Sequence, residues 1–164
     1  MRRIPDGETG VRSNWIGWQS TVFRDHPLFI AGPAGPDAYR SRPQVALVPG
    51  AASEAIEFDG LGYAEAAKRS YAVFSRLKSE GSLPKDIRFQ VSLPTPLAPV
   101  TSYVALADRA DVEPAYESAM LNELAEIVTS IPNRELAIQW DVAVEFSILE
   151  GVSQMHFDDV ETGI

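Results

Sequence analysis

"SLPKDIRFQVSL" (residues 82–93) and "SIPNRELAIQWDV" (residues 130–142) carry one pattern twice. Each begins with serine, an aliphatic residue and proline. Each then continues through a short polar turn into an apolar strand with a glutamine at its centre, Gln90 or Gln139. A helical pattern precedes each copy. Repeated units of helix, short loop and strand predict parallel strands that are joined by helical crossovers.

Two helices are indicated by the spacing of apolar residues. The first begins near Tyr63 and ends at Gly81, because glycine favours the end of a helix. The second has Asp111 as its N-cap and Pro114 in its first turn, and its apolar face continues to Ile131.

The strands at residues 87–93 and 136–141 are apolar nearly throughout, which is typical of buried parallel strands. We expect them to be adjacent in one sheet and joined by the second helix. A doubly wound sheet and a (β/α)₈ barrel both satisfy this pattern. A barrel takes about 250 residues, whereas this chain has 164. We therefore expect an α/β fold that is a partial TIM barrel, incomplete in this chain.

The domain organisation predicted from the sequence is a single partial barrel over residues 1–164. Residues 1–44 form a loop-rich active-site segment with a short helix near residues 13–23. Residues 45–58 form a hairpin around Pro49 and Gly50, and residues 62–164 form the βα units. Because no strand is recognisable before the opening loop, the first barrel strand is expected to be missing.

The composition limits the classes of partner. The chain has 23 acidic and 14 basic residues, a net charge of -9, and no basic cluster. It therefore argues against binding to nucleic acid or to an anionic membrane surface. The absence of cysteine excludes disulfides and thiolate chemistry within the chain. No apolar run is long enough to cross a membrane, so we expect a cytoplasmic protein.

Three segments concentrate polar residues next to predicted strands. They are the opening loop "RRIPDGETGVRSNW" (residues 2–15), "SLPTPLAPVTSY" (residues 92–103) and "QWDVAVEF" (residues 139–146). The opening loop holds Asp6, Glu8 and Arg12. Ligands of parallel α/β folds bind beyond the carboxyl ends of the strands, so these segments are the predicted site.

The same three segments resemble the catalytic domain of cobalamin-independent methionine synthase, which shares a barrel superfamily with uroporphyrinogen decarboxylase. The matching residues are Gly7, Glu8 and Arg12, then Pro99, Val100 and Thr101, then Ile138, Gln139 and Asp141. The resemblance implies that Glu8 and Asp141 hold the amino group of a substrate.

The resemblance also implies the rest of the site and the type of reaction. Arg12, Thr101 and Gln139 complete the implied substrate-binding set. The substrate would be a small amino or carboxylic acid, amine-bearing if the family's mode of binding holds. The reaction class is unknown, with methyl or one-carbon transfer as the family's example.

The chain departs from the family at several positions. Ala98 stands where the family has glycine, and Val142 and Ala143 follow Asp141 where the family has Glu-Pro. The family's zinc ligands are one histidine, one glutamate and two cysteines in the later half of the barrel. We therefore expect no cofactor in this chain, and zinc only if a missing half supplies the ligands. The nearer likeness is to uncharacterised members of the superfamily.

Simpler interpretations of the site residues compete with these roles. Glu8 and Arg12 form a surface ion pair in one of them, and Asp141 caps the helix that follows it in another. Thr101 is as well suited to bond local backbone as to bond a ligand.

Other polar residues are expected to have no functional role. Glu145 is expected to be a solvated residue in the first turn of a helix. His26 and His156 are expected to be structural or solvated, because no third ligand stands at metal spacing.

Two alternatives to an enzyme fragment remain open. The first is a non-catalytic remnant of the barrel that acts as a binding or oligomerising module. The second is an independent flavodoxin-like domain, which the absence of a glycine-rich phosphate loop disfavours. Because a partial barrel exposes sheet edges and apolar surface, we expect self-association or completion by a second chain.

Overall fold

The computed structural model describes residues 2–34 and 43–159 of the chain. The strands of this part are β1 (Arg3–Pro5), β2 (Phe29–Ala34), β3 (Pro43–Leu47), β4 (Arg88–Pro94) and β5 (Leu136–Asp141). Its α-helices are α1 (Ser20–Arg24), α2 (Tyr63–Ser79), α3 (Leu97–Tyr103), α4 (Arg109–Ser130) and α5 (Ala143–Leu149). The fold is mixed α/β.

A parallel sheet in the order β1-β4-β5 is the centre of the fold. Strands β4 and β5 are parallel neighbours, with Phe89 opposite Leu136 and Pro94 opposite Asp141. The crossover between them contains α4, as predicted, and also the shorter α3. The predicted start of α4 is wrong, because the helix begins at Arg109 with Asp108 as its N-cap, and Asp111 lies inside it. Helices α2 and α4 pack against each other. The predicted parallel strands with helical crossovers are confirmed, and the described residues form no closed barrel.

Strand β1 corrects the expectation that the opening loop has no strand before it. Arg3 lies opposite Arg88 and Pro5 opposite Gln90 in a parallel ladder. The ladder continues one step further, where the backbone N–H of Asp6 donates to the carbonyl of Gln90 over 2.8 Å. Three residues with an arginine and a proline give no alternating pattern, so only the pairing with β4 reveals this strand.

The hairpin predicted over residues 45–58 is wrong in its second half. Strand β3 pairs antiparallel with β2, which precedes it in the sequence. After the turn at Gly50 the chain forms a 3₁₀ turn over Ser53–Ala55 and no strand as far as Phe58. A Cβ on Gly32 of β2 would lie 2.8 Å from the carbonyl carbon of Val45, so this position needs glycine. Gly32 and the proline after it hid the true partner of β3.

The core lies between the helices and the two sheets. Phe23, Leu93, Val100, Val112 and Tyr116 are completely buried. Helix α2 contributes to this core through Tyr63 and Phe74, with Tyr71 packed against it. Among the described helices, none combines the length and the apolar character that crossing a membrane requires.

Helix α2 begins on a carboxylate that belongs to another helix. Gly62 has a φ of 84°, in the left-handed region that favours glycine. The backbone N–H groups of Leu61 and Gly62 donate to Oε1 of Glu123 over 2.6 and 2.9 Å, and that of Ala64 donates to Oε2 over 2.5 Å. Glu123 lies on α4, so one side chain both satisfies the first N–H groups of α2 and joins the two helices.

Candidate functional site

Polar side chains lie along β4 and β5 as far as the last residue of β5, and others follow the end of β1. The Gln90 side chain donates from Nε2 to Oε1 of Gln139 over 2.8 Å, and Gln139 donates from Nε2 to Oδ1 of Asp141 over 2.8 Å. The opening loop lies at the same carboxyl end of the sheet, because Asp6 directly follows β1. We call this group the sheet-edge network; its members are Asp6, Glu8, Arg12, Gln90, Gln139 and Asp141.

An ion pair holds the opening loop together. Arg12 donates from Nη2 to Oδ2 of Asp6 over 2.8 Å, and the two side chains are only 13% and 4% exposed. One of the simpler interpretations paired Glu8 with Arg12, but Arg12 pairs with Asp6 instead. The physical reason is the 3₁₀ turn over Gly10–Ser13, which turns the chain between Glu8 and Arg12.

Glu8 is in an unfavourable environment in two respects. Its φ is 40°, a left-handed conformation that a residue with a Cβ adopts at a cost of about 1–2 kcal/mol. Burial raises the pKa of its carboxyl group above the ordinary value of 4.5; Arg12 lowers this pKa, and the charges of Asp6 and Asp141 raise it further. Strain and charge repulsion together are typical of functional loops.

Asp141 belongs to the same electrostatic environment as Glu8. The two residues are distant in the sequence, yet the Asp141 charge is near enough to raise the pKa of Glu8. The alternative role for Asp141, capping the next helix, does not occur, because the N-cap of α5 is Val142 and no side chain caps it. The hydrogen bond of Asp141 is with Gln139. The structure thus brings Glu8, Arg12, Gln139 and Asp141 to one edge of the sheet.

Thr101 has its described contacts elsewhere. It lies on α3, and its backbone carbonyl accepts hydrogen bonds from Arg109 over 2.8 Å and from Gln44 over 3.5 Å. Neither partner belongs to the sheet-edge network. The role of Thr101 in ligand binding stays a prediction.

Several residues of structural or site importance were not recognised from the sequence. Gln90 had a signal, since it occupies the same place in the repeated unit as Gln139. Arg109 had none. It is buried, its guanidinium donates to the carbonyls of Val104, Thr101 and Gln154, and burial lowers its pKa.

The two histidines and Glu145 have different environments in the structure. His26 is structural, as expected: Nε2 bonds the carbonyl of Glu57, and Nδ1 accepts from the N–H of Leu28. Glu145 was expected to be solvated, which is wrong, because it is only 8% exposed. The side chain of His156 is 5% exposed and contacts Glu113. Glu145 on α5 and His156 in the tail that follows it are thus buried.

The residues do not fit the zinc site that the family resemblance implies. That site takes two cysteines, and the chain has none. Within residues 2–34 and 43–159, no group of three or more histidine, aspartate and glutamate side chains is placed to hold a metal ion. The sheet-edge network instead offers carboxylates, amides and one guanidinium, which suit an organic ligand that carries both a positive and a negative charge.

Comparisons of the chain with protein-family models, with curated proteins and with solved structures find no match.

Proposed function

We propose that the sheet-edge network binds a small amine-bearing amino or carboxylic acid, and that the chain forms part of a (β/α)₈ barrel enzyme. The superfamily proposed is that of cobalamin-independent methionine synthase and uroporphyrinogen decarboxylase. The observation that carries the proposal is that Glu8, in the loop after β1, and Asp141, the last residue of β5, lie near enough for the charge of Asp141 to raise the pKa of Glu8. These are the residues to which the resemblance gives the substrate amino group.

The charges of the network favour a cationic group on the ligand. Two carboxylates that face one space repel each other unless one is protonated or a cation lies between them. A primary ammonium group would let Glu8 and Asp141 both remain ionised. Arg12 uses one of its five N–H donors on Asp6, and the others would suit the carboxylate of an amino acid. Gln139 orients Asp141 for this contact.

The raised pKa of Glu8 gives the binding a pH dependence with a defined sign. Below this pKa the carboxyl group is neutral and attracts an ammonium group weakly. Affinity should therefore increase as the pH rises through the raised pKa of Glu8, above 4.5. Binding should also release a proton when the pH lies near this pKa, because the ammonium group favours the ionised form.

Calorimetric titration with methionine and homocysteine tests the proposal. The matched control ligand is the deaminated acid of methionine, which keeps the thioether and the carboxylate. Asp141→Asn should weaken binding of the amino acids by about 1–3 kcal/mol, the scale of a lost charge-assisted hydrogen bond. The control Asp59→Asn changes an exposed aspartate in the loop before α2 and should have no effect. Equal affinity of wild type and Asp141→Asn would leave Asp141 without a ligand role.

A second candidate function is a non-catalytic module that assembles with another chain. The observation that favours it is the apolar surface of α5, where Phe146 is 62% and Leu149 is 57% exposed. Such a module would bind no amino acid at the sheet-edge network. The calorimetric titration therefore distinguishes the two functions.

A further inference from the structure

A cleft lies between the loop after β4, the first half of α4, α5 and the tail that follows α5. Its volume is about 530 Å³, within the range of sites for small molecules. Its polar lining residues are Thr95, Glu113, Glu117, Glu145 and His156. We call it the acidic cleft. It shares no lining residue with the sheet-edge network.

Three buried polar atoms in the walls of this cleft have no hydrogen-bond partner among the residues that the structure describes. They are Oγ1 of Thr95, Oε2 of Glu145 and Nδ1 of His156. Glu145 as a residue and the side chain of His156 are both more than nine-tenths buried. Buried polar atoms are nearly always paired, because an unpaired one loses its bonds to water without replacement. Three such atoms around one cleft point to a ligand that supplies the missing partners.

The hydrogen bond between His156 and Glu113 decides which partners are needed. Nε2 of His156 lies 2.5 Å from Oε2 of Glu113. A carboxylate can only accept, so Nε2 carries the proton. With this proton on Nε2, the neutral form of the ring has a lone pair on Nδ1, which can accept a hydrogen bond from a ligand.

The remaining polar groups of the acidic cleft are also acceptors. Glu145 and Glu117 are carboxylates, and the hydroxyl of Thr95 can accept as well as donate. No lysine or arginine is among the residues that line the described cleft. A complementary ligand must therefore donate hydrogen bonds and carry positive charge.

The walls of the cleft also have an apolar part. Leu97, Pro114 and Phe157 line it beside the carboxylates. A ligand with an ammonium head and an aliphatic body would satisfy both parts, whereas a bare metal ion would leave the apolar part uncovered. Arg109 fixes the tail that forms one wall, by donating from Nη1 to the carbonyl of Gln154, two residues before His156.

We propose that the acidic cleft is a binding site for a small primary aliphatic amine, with its ammonium group between Glu145 and His156. The methylene chain lies along Leu97 and Phe157. Glu117 accepts a second ammonium group when the ligand is a diamine. The site is separate from the sheet-edge network and does not depend on the function proposed for that network.

Proton NMR of the whole chain tests this proposal, because the chain has only two histidines. The ring signals of His156 and His26 are followed during titration with butylamine, 1,4-diaminobutane and 1-butanol. Both amines should shift the His156 signals in a saturable way, and butanol should not. The His26 signals should stay in place, since both ring nitrogens of His26 already have partners. The absence of a shift at His156, or an equal shift with butanol, would overturn the proposal.

Variants locate the site. Glu145→Gln should weaken amine binding at least about tenfold, the effect of losing one charge-assisted bond. Glu150→Gln, an exposed residue just after α5, is the matched control and should bind as wild type does. If Glu145→Gln does not melt cooperatively, Glu117→Gln and Thr95→Val test the proposal in its place. Each of them should weaken amine binding several-fold. Asp141→Asn should leave amine binding intact. Loss of amine binding in Asp141→Asn would show a single site at the sheet edge and refute the second site.

Discussion

The side chain of Gln90 donates to that of Gln139 diagonally across two parallel strands, over 2.8 Å. In the strand register Gln90 lies opposite Ala137, and Gln139 lies opposite Ser92. Two long side chains can reach each other over this offset. Since Gln139 in turn donates to Asp141, a buried residue of β4 determines the position of a carboxylate at the end of β5.

Gln90→Met should separate this positioning effect from stability. Methionine has a similar size, and Gln139, which loses its donor, is an exposed residue, so the free energy of unfolding should change by less than about 1 kcal/mol. Binding of an amino acid at Asp141 should weaken several-fold, because Gln139 is no longer held. The matched control is Gln44→Met, which changes another buried glutamine far from the network. Urea unfolding and calorimetric titration measure the two effects. Unchanged binding by Gln90→Met would show that Asp141 does not need this support.

The parallel strands could be predicted because the sequence patterns that indicate them are local. Each copy of the repeated unit follows its own helical pattern and contains its own apolar strand, and these agree with the structure at β4, α4 and β5. The central glutamines were visible in the sequence as well. That they bond each other requires the register, which no local pattern contains.

The elements that were not predicted depend on distant contacts. Strand β3 was recognisable, but its partner β2 was hidden by Gly32 and by the proline after it. Strand β1 exists only through its pairing with β4. Glu145 was expected to be solvated as a residue of the first turn of a helix, and His156 was expected to be structural or solvated. Their burial arises from the packing of the tail, which Arg109 holds from a position nearly fifty residues earlier in the chain.

Glu123→Gln should destabilise the fold through the start of α2. The amide keeps one oxygen but loses the charge that three backbone N–H groups share, and its NH₂ group opposes some of them. We expect a loss of about 2–3 kcal/mol in the free energy of unfolding, as for hydrogen bonds to a buried charged group. Urea denaturation measures this loss. Glu126→Gln on the same helix is the control, since Glu126 is an exposed residue in a surface pair with Lys68; an equal loss in that variant would contradict the capping role.

Glu8→Gln should change how stability depends on pH. Because burial raises the pKa of Glu8 in the folded state, the folded chain binds this proton more tightly than the unfolded chain does. The tighter binding of this proton stabilises the fold below pH 4.5. This stabilisation is lost as the pH rises through the pKa of Glu8 in the folded state. The variant lacks this loss, so it should be more stable than wild type at pH 7 and similar to it below pH 4.5. Urea unfolding from pH 4 to pH 7 measures the difference, and a constant difference over this range would contradict the assignment.

Glu8→Gly should increase the free energy of unfolding by a further amount that does not depend on pH. Glycine adopts the left-handed conformation at φ 40° without the steric cost that a Cβ imposes. We expect about 1 kcal/mol of stabilisation beyond Glu8→Gln, the cost of that conformation for an ordinary residue. Both variants should lose amino-acid binding at the sheet-edge network. Destabilisation by Glu8→Gly would show that side-chain contacts of Glu8 outweigh the strain.

Phe146→Glu should reduce self-association of the chain. Phe146 and Leu149 are three residues apart on α5, so they lie on one face of the helix, and both are mostly exposed. Strand β5 beside them is the edge of the parallel sheet in the described residues, with Trp140 partly exposed. A free edge next to an apolar surface favours contact between copies.

Sedimentation velocity over a range of concentrations should therefore show association of wild type and a smaller species for Phe146→Glu and Leu149→Glu. The control Val73→Glu alters an equally exposed apolar residue on α2 and should associate as wild type does. A wild-type chain that remains monomeric at all concentrations would contradict self-association, and an equal effect of Val73→Glu would show that the α5 face is not its surface.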